Sequence, residues 1–253
     1  MNQRRERILT LLKEQGELDV ATLVRRLEAS EATIRRDLTT LEEEGVLIRT
    51  FGGARLNDQP SLVMQTFNER RERMRHEKDM IARKAAELVK PGMVIALDSG
   101  TTVWRIAAYL KDKAPLTILT NALAPIEELG KIKEITIHCI GGRFRLENLD
   151  FIDPSPSRLI DDFRSDIAFI GADSIFPGKG CYARDEISAA IARALARTAE
   201  KRVVAADHAK FNAQGFCLVL PGAEMSVLIT DQGLDRKVQE QLKNEPYEVI
   251  MAE

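Results

Sequence analysis

Apolar side chains recur with a helical period through the first 45 residues of the chain. Three amphipathic helices are predicted, with their apolar positions at residues 8–12, 23–27 and 34–41. Asp19 and Ser30 are candidate N-caps of the second and third helices, because each short side chain can accept a hydrogen bond from a free helical amide. The pattern therefore predicts three short helices that pack around a common apolar centre.

The stretch that follows these helices changes to the pattern of a hairpin. Residues 46–56, VLIRTFGGARL, predict two short strands joined by a Gly-Gly turn, and Gly45 is a candidate end for the third helix. Three helices followed by a small hairpin are the outline of a winged helix-turn-helix. A domain of this kind is predicted over residues 1–57.

The outer half of the third helix suits a helix that enters the major groove of DNA. Arg36 lies almost opposite the apolar stripe, and Arg35 lies on its flank, where Glu31 can pair with it. Small side chains allow close approach, and an arginine can reach a guanine edge or a phosphate. The candidate DNA-binding residues of the helix and hairpin are Ser30, Ala32, Thr33, Arg35, Arg36, Thr39, Thr40, Arg49 and Arg55.

The pattern after residue 75 is that of an α/β domain. Short runs that are apolar on both faces alternate with helical stretches, as in a largely parallel sheet covered by helices. Strands are predicted at 93–97, 116–120, 135–140, 166–170, 202–206 and 226–230, and helices at 76–89, 102–111, 185–199 and 235–243. The predicted organisation is a winged helix-turn-helix at 1–57, a linker at 58–74 and an effector-binding domain at 75–253.

Polar clusters follow the strands, where open α/β sheets bind ligands. In the sharpest cluster, DSGTT at 98–102, a strand ends, a glycine permits a tight turn and a helix begins. Free amides and the helix dipole make such an N-terminus a candidate anion site, although a plain N-cap turn is the alternative. The loop is neither a Walker A motif nor GxGxxG, so a nucleotide is not indicated.

Composition limits the possible partners. The 253 residues carry a formal net charge of -2, so any affinity for DNA must come from a local basic patch. The three cysteines form no CxxC pair and the three histidines lack metal spacing, so we expect no metal and no cofactor. With no apolar signal region and no apolar run near ~18 residues, we expect a cytoplasmic protein without a membrane partner.

The motif ATIRRDLTTLEEEGVLIRTFGGA, residues 32–54, resembles that of DeoR-type bacterial repressors, which include the glycerol-3-phosphate repressor. The resemblance covers nearly the whole chain, and Phe51 departs from it where the family often has His or Tyr. It implies a transcriptional repressor of a carbohydrate-utilisation operon and a second domain similar to ribose-5-phosphate isomerase, without catalytic residues. The implied partners are double-stranded operator DNA and a phosphorylated sugar or similar small anion.

The resemblance also implies the residues of an effector site, with the DSGTT loop cradling the phosphate. Two departures fall nearby, Ala190 where the family often has lysine and Asp153 where glycine is common. The candidate effector-binding residues are Asp98, Ser99, Gly100, Thr101, Thr102, Thr120, Asn121, Gly141, Gly142, Arg143, Asp173, Arg184, Glu186, Asp207 and Lys210. Because two DNA-binding domains are needed to contact the two half-sites of an operator, a homodimer or homotetramer is expected.

Two other function classes stay open at this point. One is an isomerase-like enzyme with an accessory N-terminal domain, in which Asp98, Asp173 and Glu186 would supply acid–base chemistry. The other is a protein-interaction module that uses the winged helix. The small outward side chains of the third helix argue against the protein-interaction module. Catalytic turnover by the purified protein would identify the enzyme.

Overall fold

The protein divides into two compact units, Met1–Met64 and Gln65–Glu253. The structure is a computed structural model that describes residues 3–43, 46–50, 52–56, 67–153 and 155–253. The helix end expected at Gly45, the departure at Phe51 and residues 58–66 of the expected linker lie outside the described residues. The two units are described separately below.

The N-terminal unit is a three-helix domain with a small antiparallel sheet. Its helices are α1 (Gln3–Gln15), α2 (Val20–Leu27) and α3 (Glu31–Glu43). Its strands are β1 (Glu17–Asp19), β2 (Leu47–Thr50) and β3 (Gly53–Leu56), in the order β1-β3-β2. Strand β1 was not predicted, because three residues carry too little alternation to stand out.

Local sequence signals set the helix boundaries of this unit. Gly16 ends α1 with a φ of 79°, a left-handed conformation that favours glycine. Asp19 caps α2 by accepting a hydrogen bond from the Thr22 amide at 2.6 Å, and Ser30 Oγ accepts one from the Thr33 amide at 3.3 Å. The predicted stripe of α3 is fully buried with the apolar faces of α1 and α2, forming one core: Ile8, Leu12, Leu23, Ile34, Leu38 and Leu41.

The second unit is built on a seven-stranded parallel sheet. The strands lie in the order β15-β14-β12-β9-β4-β5-β6, and every neighbouring pair is parallel. Six of them were predicted from the sequence: β4 (Val94–Leu97), β5 (Leu116–Thr120), β6 (Ile135–Cys139), β9 (Ser165–Gly171), β12 (Ala199–Ala205) and β14 (Val227–Asp231). The edge strand β15 (Glu248–Ala252) was not predicted.

Helices cover both faces of this sheet and bury two apolar layers. One layer holds side chains of α5 (Arg75–Ala86), α6 (Thr101–Tyr109) and α7 (Leu123–Leu129). The other holds those of α8 (Ser157–Ile160), α9 (Glu186–Thr198) and α10 (Arg236–Leu242). Because both faces are covered, the central strands read as continuous apolar runs, which is why the sequence located them.

Smaller elements surround the sheet, and the sequence did not predict them. An antiparallel sheet has the order β10-β11-β13, and β7 pairs with β8 in a hairpin. Their bounds are β7 (Arg143–Arg145), β8 (Asp150–Ile152), β10 (Ser174–Phe176), β11 (Gly180–Ala183) and β13 (Cys217–Pro221). Helix α4 (Phe67–Glu72) occupies part of the expected linker and belongs to the second unit, where Phe67 is buried.

Candidate functional site

Helix α3 presents an outer face with one free arginine. Arg36 is exposed and its side chain makes no hydrogen bond or ion pair with another described residue, whereas Arg35 is held by Glu31, with Nη2 and Oε1 2.7 Å apart. The hydroxyls of Thr39 and Thr40 donate to helix carbonyls at 3.0 and 3.1 Å. Arg36 is therefore the α3 side chain best able to reach a base edge.

A buried carboxylate that the sequence reading missed anchors α3 to α1. Asp37 is 3% exposed and accepts hydrogen bonds from Arg4 Nε and, at 3.2 Å, from Arg5 Nε. Burial opposes ionisation, but these bonds prevail and hold the pKa of Asp37 below its usual value. Its position in the sequence, between Ile34 and Leu38 of the apolar stripe, was the signal that could have identified Asp37 as a buried residue.

The two arginines of the hairpin lie on opposite faces of the small sheet. Arg49 is paired with buried Ala54, so its side chain shares the face that packs on the core, whereas Arg55 is paired with Ile48 on the other face. Arg49 Nε is buried without a hydrogen-bond partner among the described residues. Arg55 is thus the hairpin arginine on the outer face.

A cavity of the second unit lies at the carboxyl ends of β4, β9 and β12 and has a volume of about 140 Å³. Its position agrees with the general location of ligand sites in parallel sheets. Nine of the expected effector-binding residues line it: Asp98, Ser99, Gly100, Thr101, Thr102, Asp173, Arg184, Asp207 and Lys210.

The DSGTT loop forms one wall of the cavity. Asp98 is buried, and its two oxygens accept hydrogen bonds from the amides of Ser99 (2.8 Å) and Gly171 (3.1 Å). Burial raises the pKa of Asp98 to about 7. Gly100 has a φ of 125°, and the first α6 hydrogen bond runs from the Trp104 amide to the Gly100 carbonyl at 2.9 Å. Helix geometry leaves the preceding amides without intrahelical partners.

Cationic side chains outnumber carboxylates in the cavity lining. The lining contains five cations, Arg70, Arg73, Lys78, Arg184 and Lys210, and three carboxylates, Asp98, Asp173 and Asp207.

Only one of these cations is paired with a lining carboxylate. Arg184 Nε lies 3.5 Å from Asp173 Oδ1, and the Arg184 amide donates to Oδ2 at 3.1 Å. The side-chain ammonium of Lys210 makes no hydrogen bond or ion pair with a described residue, and burial lowers its pKa. The cavity therefore holds an excess of positive charge that an anion would neutralise.

Six lining residues with polar or flexible side chains were not among the expected ones: Arg70, Arg73, Met74, Lys78, Asn148 and Ser188. Arg70, Arg73 and Met74 fall in the predicted linker at 58–74, and Lys78 falls in the predicted helix at 76–89. Lys78 precedes Ile81, Ala82 and Ala85 at helical spacing on the buried side of α5. That periodicity was the signal that could have identified Lys78.

Two expected residues, Thr120 and Asn121, lie outside the cavity and serve the backbone instead. Thr120 Oγ1 donates to the Leu97 carbonyl at 2.7 Å and accepts from the Ala122 amide at 3.0 Å. Asn121 Nδ2 donates to the Phe151 carbonyl at 3.1 Å. These bonds tie β5 and the segment after it to neighbouring chain segments.

Four further candidates, Gly141, Gly142, Arg143 and Glu186, are exposed and lie outside the cavity lining. At Gly142, with a φ of 138°, a Cβ would lie 2.4 Å from the Ile152 carbonyl oxygen, which explains the glycine. The departures at Asp153 and Ala190 likewise lie outside the cavity lining.

Two family models match the chain. The DeoR-like helix-turn-helix domain matches residues 4–60, and the DeoR C terminal sensor domain matches residues 73–232. Together they cover the DNA-reading unit and most of the unit that contains the cavity. No helix in the described part of the chain is long and apolar enough to cross a membrane.

Characterised relatives are similar over nearly their whole length. The transcriptional repressor AccR of Agrobacterium fabrum strain C58 is 31% identical, over 91% of this chain and 89% of its own. The lactose phosphotransferase system repressor of Streptococcus mutans is 32% identical, over 94% of each chain. Among solved structures, ribose 5-phosphate isomerase A of Methanocaldococcus jannaschii is 21% identical over 55% of each chain, with a TM-score of 0.41.

The fold, the matched domains and the relatives agree on a DNA-binding regulator of transcription rather than an enzyme. The acid–base roles considered for Asp98, Asp173 and Glu186 are therefore set aside together with the enzyme alternative. The chain belongs to the DeoR family of transcriptional repressors.

Proposed function

We propose that this repressor controls a carbohydrate-utilisation operon and that a phosphorylated sugar or a similar small anion is its effector. The observation that carries the proposal is the partly buried ammonium group of Lys210, which lines the cavity and has no hydrogen-bonding or ion-pairing partner among the described residues. A partly buried cation is costly without a counter-charge, so a bound anion would stabilise it. A relative that represses a lactose phosphotransferase system supports the carbohydrate assignment.

The two walls of the cavity suggest an orientation for this effector. The phosphate would sit at the start of α6, where free amides and the buried hydroxyls of Thr101 and Thr102 can donate hydrogen bonds. Asp173 and Asp207, as acceptors, would receive hydrogen bonds from sugar hydroxyls. Phosphate and hydroxyl groups would thus be distinguished by which wall they contact.

DNA binding would be performed by the N-terminal unit. In this proposal α3 enters the major groove, Arg36 contacts a base edge or phosphate, and Arg55 on the hairpin contacts the DNA backbone. Ser30, at the start of α3, and the exposed Ala32 and Thr39 allow close approach. Two copies of the chain would read paired half-sites, and the effector would favour one arrangement of the assembly over another.

The test is a thermal-shift screen of sugar phosphates, sulfonated sugars and their neutral parent sugars with the full chain. We expect a charged sugar to raise the melting temperature, and the same compound to change the affinity for a duplex that the protein selects from a random pool. Lys210→Met should abolish the shift, and Lys237→Met, at an exposed position on α10, should preserve it. A shift that persists in Lys210→Met would overturn the placement of the effector.

A further inference from the structure

One side chain of helix α4 lines the cavity, and two other side chains of α4 pack against helix α6. Arg70 lines the cavity. Phe67 is buried with its ring centroid 6.4 Å from that of Trp104, in an edge-on arrangement, and Arg71 Cζ lies 5.2 Å from the same Trp104 ring. Because Trp104 belongs to the first turn of α6, directly after the DSGTT loop, α4 is packed against the helix that begins at the anion site.

A buried lysine closes the end of α4. Lys78 is 3% exposed, and its Nζ donates hydrogen bonds to the carbonyls of Arg70 and, at 2.6 Å, Arg73. Carbonyls at the end of a helix have no intrahelical partners, so Lys78 acts as a cap supplied from α5. An ammonium group has three donors, and Lys78 also lines the cavity. One group therefore serves both the helix end and the cavity.

Arg70 completes the connection between α4 and the cavity. Its Nη2 donates to Asn148 Oδ1 at 2.6 Å and to the Glu147 carbonyl at 3.3 Å, and its Nε is buried without a partner among the described residues. These partners are neutral, so the guanidinium charge is not compensated by a hydrogen-bonded carboxylate. An anion in the cavity would attract Arg70 and Lys78 together.

We infer that helix α4 senses whether the cavity is occupied and transmits this toward the N-terminal unit, with Lys78 as the positioning residue that holds α4 at the cavity. The inference rests on the proposed anionic effector. Residues 57–66 join β3 to α4, so a ligand that fixes α4 also fixes the point from which the connecting chain leaves the second unit. The effector would thereby interact differently with two arrangements of α4, as a conformational switch requires.

Hydrogen exchange of the full chain with inorganic phosphate as the probe separates this inference from the proposed function. We expect millimolar phosphate to slow exchange at 100–104, the start of α6, and also at 67–74, by about tenfold or more. Slowing at 100–104 alone would overturn the role of α4 and leave the anion site intact. No slowing at either segment, with no thermal shift, would overturn the anion site and this inference with it.

Variants of two lysines on the same helix test the positioning role. Lys78→Met should speed exchange at 67–74 about tenfold in the free protein and remove the response of that segment to phosphate. Lys78→Arg should restore the response, because a guanidinium can also donate to two carbonyls. Lys84→Met is the matched control, since Lys84 is an exposed ion-pair partner of Glu87. Identical exchange in Lys78→Met and Lys84→Met would overturn the inference.

Coupling between two binding sites acts in both directions, so the role of α4 in transmitting the signal can also be tested without an effector. If α4 couples the cavity to DNA, binding of a selected duplex must itself change exchange at 67–74. Arg36→Ala, which should weaken DNA binding, should reduce this change at the same duplex concentration. If the duplex slows exchange in α3 but leaves 67–74 unaltered, α4 does not transmit the signal.

Discussion

Arg145 and Asp150 form a two-pronged ion pair across the β7–β8 hairpin, with Nε–Oδ1 at 2.9 Å and Nη2–Oδ2 at 2.7 Å. The Asp150 side chain is 1% exposed and that of Arg145 is 16% exposed. Arg145 also donates to Ser188 Oγ at 2.9 Å, and Ser188 lines the cavity. Arg145, which was not among the candidate site residues, thus supports the hairpin from behind the cavity wall.

Removal of this ion pair should destabilise the second unit. Arg145→Met leaves Asp150 buried without its cation, and breaking a buried pair from one side costs about 3–5 kcal/mol. Arg143→Met is the control, because Arg143 is exposed and should change the free energy of unfolding by less than about 0.5 kcal/mol. Chemical denaturation of both variants provides the measurement. Equal stability would show that Arg145 does not support the hairpin.

Operator recognition should depend on Arg36. Arg36→Ala should weaken binding to a selected duplex by about 1–3 kcal/mol if the side chain contacts a base, and much less for unrelated sequences. Arg83→Ala removes a similar charge from an exposed position on α5 and should leave affinity unchanged. Fluorescence anisotropy at several salt concentrations distinguishes a base contact from a phosphate contact, because a phosphate contact also lowers the salt dependence.

A negative charge at the start of α6 should remove the response to the effector. Thr102 is buried beside the cavity, so Thr102→Asp places a carboxylate where the phosphate is proposed to bind, and like charges repel strongly in a dehydrated site. Ligand-induced thermal stabilisation should disappear while DNA binding without ligand persists. Thr136→Asp, at an exposed position on the edge strand β6, should keep the stabilisation. Normal ligand affinity in Thr102→Asp would place the anion site elsewhere.

Asp98 should make stability depend on pH. Burial raises its folded-state pKa from 3.8 to about 7, so the folded protein holds this proton more tightly than the unfolded chain. Its contribution is therefore fully present below about pH 4 and is lost as the pH rises through 7. The difference in unfolding free energy between the wild type and Asp98→Asn should fall across this window by a few kcal/mol at most.

The control for this experiment is Asp161→Asn, at an exposed position that is ion-paired with Arg197. Its difference from the wild type should show no comparable fall between pH 4 and 7. If the unfolding free energies of the wild type and Asp98→Asn change in parallel with pH across that window, Asp98 does not titrate there.

Much of the fold was determined by patterns that are local in the sequence. The stripe of Ile34, Leu38 and Leu41 identified α3, and two-sided burial made the central strands continuous apolar runs. The DSGTT loop was recognisable because a strand end, a glycine with positive φ and a helix start are consecutive residues. Such features depend on backbone preferences and periodic burial, so neighbouring residues suffice to specify them.

The composition of the cavity was decided by tertiary structure. Neither Arg70 nor Lys78 was among the expected effector-binding residues, but packing of α4 and α5 within the second unit brings both to the carboxyl ends of distant strands. In the β7–β8 hairpin, the strand register sets Arg145 opposite the buried Asp150, whereas Arg143 lies opposite Ile152 and is exposed. A charged side chain is equally plausible in solvent or in a pocket until a counter-charge, a cavity or a carbonyl from elsewhere in the chain is placed beside it.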